Sequence, residues 1–135
     1  MKLCRLAPLL CLFWAPAVAA EEIDLGLANE GARTLRCQII YAHWVTGELP
    51  TLEPGSWLRF TVERDAATRE IYVPREPDGR RMMLEGVLCG ADDDWGATLT
   101  LLDLEAVKRS NDLAYERRCS IEVQLTCSGW EPEIP

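Results

Sequence analysis

The sequence is poor in the side chains that most catalytic and metal centres draw on. Its one histidine, His43, has no Ser or Cys nucleophile motif around it and no second ligand at metal spacing. Acid–base work needs a placed partner, and none is visible, so a structural or surface histidine is the simpler reading. No Cys-x-x-Cys pair occurs, which leaves redox catalysis and metal binding without their usual signature. The sequence therefore offers no catalytic residue, no metal ligand set and no cofactor motif.

Lysine is nearly missing. Beyond Lys2 only Lys108 occurs, while arginine is frequent. Arginine codons are GC-rich and lysine codons AT-rich, so the skew suggests a high-GC genome. No Asn-x-Ser/Thr acceptor is present either. Together these favour a bacterial periplasm over a eukaryotic secretory route. No internal repeat, heptad or low-complexity tract interrupts the chain. Past the first residues nothing approaches the run of about 20 apolar residues that spans a bilayer.

The chain opens "MKLCRLAPLLCLFWAPAVAA". Lys2 and Arg5 precede an apolar run from Leu6 to Trp14, and "AVAA" supplies small residues for a peptidase. That is the layout of a secretory signal over residues 1–20, cleaved after Ala20 or Ala19. The run is too short for a membrane anchor. Leu10 before Cys11 spoils a lipoprotein box, and no twin arginine is present, so the unfolded chain is expected to be exported. Two of the 14 basic residues leave with the signal and all 22 acidic ones stay, a net charge of −10. Such a balance argues against nucleic acid and anionic membranes.

Four cysteines remain: Cys37, Cys89, Cys119 and Cys127. An even number in an exported chain reads as two disulfides. In "ERRCSIEVQLTC" (116–127), Cys119, Ile121, Val123, Leu125 and Cys127 alternate with polar residues as on one strand. If that strand is extended, its cysteines stand roughly 27 Å apart at about 3.3 Å per residue. A disulfide needs Cα atoms within about 7 Å, so Cys119 and Cys127 are not expected to bond to each other. Terminal strands of small antiparallel domains are often neighbours, which brings Cys37 to Cys127 and leaves Cys89 for Cys119.

Residues 21–33, acidic and without clear period, read as a flexible N-terminal arm. A single domain follows over 34–127, and 128–135 reads as a polar tail. "TLRCQIIYAHWV" (34–45), "SWLRFTVE" (56–63), "REIYVP" (69–74) and "MMLEGVLC" (82–89) read as strands, the middle two as a hairpin. Asp78-Gly79 marks a turn. "DDDWGATLTLLDLEAVKRSN" (92–111) has acid at its start, base at its end and an apolar stripe of Trp95, Leu99, Leu102 and Ala106, which predicts a helix. "TLTLLDLE" within it also alternates as a strand. The fold class expected is mainly β: a small antiparallel sandwich or partly open barrel with one helix and two disulfides.

Asp92-Asp93-Asp94 lacks the alternating acids and distal Glu of a calcium loop, so a solvated turn is expected. With 22 acidic residues, any carboxylate pair for glycoside hydrolysis is uninformative. The tryptophans are more suggestive. By parity Trp44 lies opposite Cys37 and Ile39, and Trp57 opposite Leu58 and Phe60. If those faces are outside, they present aromatic surface of the kind that marks binding sites. The expectation is a periplasmic, non-catalytic binding or accessory protein that acts by contact with an envelope protein, through Trp44 and Trp57. The alternative is a small envelope carbohydrate-active hydrolase using paired carboxylates.

Overall fold

The structure is a computed structural model and describes residues 19–75 and 80–134. The expected signal, save Ala19 and Ala20, and the Asp78-Gly79 turn lie outside the described residues. The first strand, β1 (Ala20–Asn29), covers most of the segment expected to be a loose arm. Its Ile23, Leu25 and Leu27 are buried, while Glu22, Asp24, Gly26 and Ala28 take the other face. That alternation is present in "EIDLGLA", but the acids and glycine on the outer face masked it. β1 pairs antiparallel with β4 (Trp57–Asp65) and parallel with β8 (Ala114–Ile121). The sheet is mostly antiparallel, and the β1–β8 pair departs from the hairpin expectation.

From β4 the chain turns into β5 (Ile71–Arg75) as expected, and β5 pairs with β6 (Arg80–Ala91). β6 is the fold's corner. Its first residues pair with β5, and its remainder pairs with β2 (Leu35–Tyr41) on one edge and β7 (Thr100–Leu102) on the other. The register with β2 slips between Ile40 and Tyr41, a bulge of the kind that bends strands at sheet corners. Gly86 lies at this point: a Cβ there would fall 2.8 Å from Leu101 Cδ1 and 3.1 Å from the Leu102 carbonyl. The path of the sheet runs β10, β8, β1, β4, β5, β6, β2, β3, where β3 is Thr46–Glu48 and β10 is Glu131–Pro132. It does not close. Inward residues of both halves, including Ile23, Leu25, Val62 and Ile71 with Leu35, Ile39, Val87 and Leu102, form one buried cluster.

The disulfides correct the expected pairing of Cys37–Cys127 and Cys89–Cys119. Cys37 bonds Cys89, and Cys119 bonds Cys127. Each joins directly opposed residues of an antiparallel pair, with Cα atoms 4.2 and 4.1 Å apart. The chain reverses at Glu122–Gln124, so residues 119–127 are a hairpin of β8 and β9 (Leu125–Cys127) rather than one strand. A loop of three residues keeps odd-numbered side chains on the same face of both arms. The alternation therefore runs on through the turn as if the strand were unbroken. The neighbour argument failed for a second reason. The true first strand is β1, which carries no cysteine and runs parallel to β8.

The expected helix over 92–111 divides. A 3-10 turn at Asp92–Asp94 leads into α1 (Trp95–Thr98), then β7, then α2 (Glu105–Arg109). The strand-like alternation of "TLTLLDLE" wins because Leu102 and Leu104 fill the core beside β6. The expected polar tail is also tied down. Trp130 is buried, its indole N–H donates to the Asp103 carbonyl at 2.6 Å, and Glu131 pairs with Glu116 of β8.

Candidate functional site

The structure exposes both tryptophans and places them in different settings. The segment expected as a strand through Val45 ends at Tyr41, and Ala42–Trp44 make the turn into β3. The Tyr41 N–H donates to the Val45 carbonyl at 2.8 Å and closes the turn. His43 has φ 66° and Trp44 φ 61°. The loop is three residues long, and its last two take positive φ, the region that Gly and Asn enter without strain. A bulky side chain there costs roughly 1–2 kcal/mol per residue, because Cβ crowds the following carbonyl. The turn nevertheless carries a tryptophan at its tip, 82% exposed, with exposed Val45 beside it.

The stem below the turn is firmly built. Gly47 leaves room for the Tyr41 ring, to which a Cβ would come within 3.1 Å. On the outer face Glu48 accepts hydrogen bonds from Arg36, at 2.7 Å, and from Gln38. The Arg36 guanidinium, with Gln38, holds the Glu48 carboxyl below the usual carboxylate range. Arg36 also lies over the Trp95 ring, 5.0 Å from its centroid. An aromatic tip at positive φ therefore stands on a hydrogen-bonded two-strand stem.

Trp57 begins β4 on the outer face of the larger sheet half, as its parity predicts, and is 67% exposed. Across β1 its row reads Trp57, Ala28, Arg118, and the next row reads Arg59, Gly26, Glu116. Arg59 lies 5.5 Å from the Trp57 ring centroid and pairs with Glu133 at 2.7 Å. Trp57, Ala28, Arg59, Gly26, Glu116 and Glu133, with Leu27, line a groove of about 250 Å³.

Trp44 and Trp57 do not form one patch. Leu35 pairs with Leu52, five residues before Trp57, while Trp44 follows the far end of β2. The six steps from Leu35 to Tyr41 along β2 separate those ends by roughly 20 Å at about 3.3 Å per residue. The sequence missed the groove because its rows join residues about 90 apart, such as Gly26 and Glu116, through the unforeseen parallel pair.

The other motifs resolve simply. Asp93 pairs with Arg33 at 2.6 Å, on an exposed turn. Among the described residues no group of three or more His, Cys, Asp or Glu is arranged to hold a metal ion. A general acid needs a carboxyl whose pKa is raised. Asp65 is instead held below its usual range by the Thr68 and Ala67 backbone N–H groups, as Glu48 is by Arg36. No helix of the described residues is long and apolar enough to cross a membrane. No protein-family model matches the chain, and none of the curated proteins is similar to it.

Proposed function

We propose that the chain is an exported, periplasmic, non-catalytic binding or accessory protein that acts by contact with an envelope protein, with Trp44 as its inserted side chain. The strained turn carries the reading. A tryptophan at positive φ on an exposed tip costs stability and gains nothing from the core. Strain of this kind concentrates where recognition sets the conformation. Tryptophan is also the residue most often found at the energetic centre of interfaces. A fixed stem lowers the ordering cost of association. The periplasmic location rests on the signal-like residues 1–20 and on the two disulfides.

A photo-crosslinking amino acid at position 44, in the protein exported by its own cell, tests the reading. A discrete protein adduct is expected from position 44 and not from position 123, where Val123 is 85% exposed on a different hairpin. Equal yields at 44 and 123 would show that exposure alone drives the adduct. Intact mass of the exported protein should begin at Glu21 or Ala20. Recovery of the whole chain in the membrane fraction would remove the periplasmic part of the proposal.

A further inference from the structure

We propose that the groove beside Trp57 is a second, independent site that takes one pyranose ring of a neutral glycan. β1 runs down its centre with almost no side chain on the outer face, at Gly26 and Ala28, while both neighbouring strands carry long ones. The result is a trough roughly 10 Å across, two strand spacings. On one wall stands the Trp57 indole. Arg59 of β4 and Glu133 of the C-terminal segment come from opposite sides of β1, so their 2.7 Å contact lies over it and closes one end. Glu116 completes the far wall.

Size and charge select the ligand. Pockets for drug-sized molecules run to about 300–1,000 Å³. The volume here, about 250 Å³, suits a single ring or side chain. The charged groups are already matched inside the protein: Arg59 with Glu133, and Arg118 with Glu116 at 3.3 Å. An ionic ligand would have to break those pairs. A polyhydroxylated ligand would not, because each pair leaves N–H donors and carboxylate lone pairs that vicinal hydroxyls can bond. The indole supplies an apolar platform for the C–H face of the ring. Addition of a peptide as a further strand is excluded, since both edges of β1 are already paired.

The probes are maltotetraose, cellotetraose and tetra-N-acetylchitotetraose, titrated to tens of millimolar into the uniformly ¹⁵N-labelled mature protein. At least one should shift the Trp57 indole and Gly26 amide resonances saturably. Trp57→Ala should weaken that binding by about tenfold or more. So should Gly26→Leu, which fills the trough. A Cβ at position 26 meets its nearest neighbour, the Tyr115 carbonyl, at 3.4 Å, so the backbone leaves room for the first side-chain atom, and the variant's spectrum shows whether the fold is kept. Trp44→Ala should leave the affinity unchanged, which separates this site from the contact proposed for the hairpin tip. No saturable shift with any of the three sugars overturns the assignment. So does binding that survives Trp57→Ala or Gly26→Leu, or a groove that responds only to a basic peptide.

Discussion

Trp44 holds backbone angles that nothing in its own chemistry favours, and His43 before it holds similar ones. Replacing the pair by Asn-Gly leaves the hairpin and its Tyr41–Val45 hydrogen bond intact and removes the steric cost. The double variant is expected to gain about 1–3 kcal/mol in urea denaturation. With the photo-crosslinker moved to the exposed Val45, which the variant keeps, it should also lose the adduct formed at the tip. A variant that loses stability would show that Trp44 contributes to packing after all. The opposite case is Arg64, whose residue is 0% exposed. Its guanidinium donates to Glu21 at 2.8 Å, to the Val107 carbonyl at 2.7 Å, to the Asp112 carbonyl at 3.2 Å and to the Tyr115 hydroxyl at 3.3 Å. Burial works against its charge, but Glu21 and Tyr115 more than offset this and hold the guanidinium above its ordinary value. Arg64→Met keeps much of the volume and strands those acceptors, so a loss of about 3–5 kcal/mol is expected. A loss below about 1 kcal/mol would mean that water replaces the guanidinium. Neither the positive-φ turn nor the buried cation was legible. Ala-His-Trp-Val contains no Gly or Asn to announce a turn, and Arg64 shares the inward parity of Phe60 and Val62 but has the wrong polarity for a core.

Secondary-structure elements were legible where one face is apolar and the strand ends in a turn signal. β4, β5 and β6 emerged that way. β1 did not, because its outer residues are acidic or glycine. The β8–β9 hairpin did not, because its odd-length loop preserves the alternation on either side. Helical and strand periods overlap across residues 98–105, and burial of Leu102 against β6 decided between them. The two disulfides now have separate tasks. Cys37–Cys89 spans 52 residues, and Cys119–Cys127 spans 8. Loop-closure entropy gives them about 4 and about 2.5 kcal/mol respectively. Replacing Cys37 and Cys89 by alanine should therefore cost more than replacing Cys119 and Cys127, and non-reducing peptide maps should return only these two links. The β4–β5 turn offers a pH test. The Asp65 carboxylate accepts the Ala67 and Thr68 backbone N–H groups at 2.9 Å each, which depresses its pKa in the fold. A depressed carboxyl contributes stability above its unfolded value of about 3.9, and that stability is lost as pH falls through the folded value. The difference in urea midpoint between wild type and Asp65→Asn should shrink from pH 7 to pH 3. A gap that stays constant would show that those N–H groups do not distinguish charge.

On the scale of the whole molecule, the topology sets an order of assembly. The β8–β9 hairpin needs only the three residues of its turn to bring Cys119 to Cys127, and hairpins of this kind form in about 1–10 μs. Cys37 reaches Cys89 only when β2 finds β6, with β3, β4 and β5 lying between them in sequence. Closing the longer loop carries the larger entropic penalty before any contact compensates it. The parallel β1–β8 pair joins residues about 90 apart and has no local hairpin to guide it. It therefore depends on β1 first docking antiparallel on β4, whose edge is organised by the β4–β5 hairpin. Oxidative refolding of the reduced chain over residues 21–135, quenched by alkylation at intervals, should show the one-disulfide species Cys119–Cys127 ahead of Cys37–Cys89. Burial of Tyr115 and Trp130, which lie on β8 and just before β10, should come later than both hairpins. If Cys37–Cys89 accumulates first, β2 and β6 meet before the C-terminal hairpin forms. Long-range pairing at the β6 corner would then nucleate the fold, and the local hairpins would follow it.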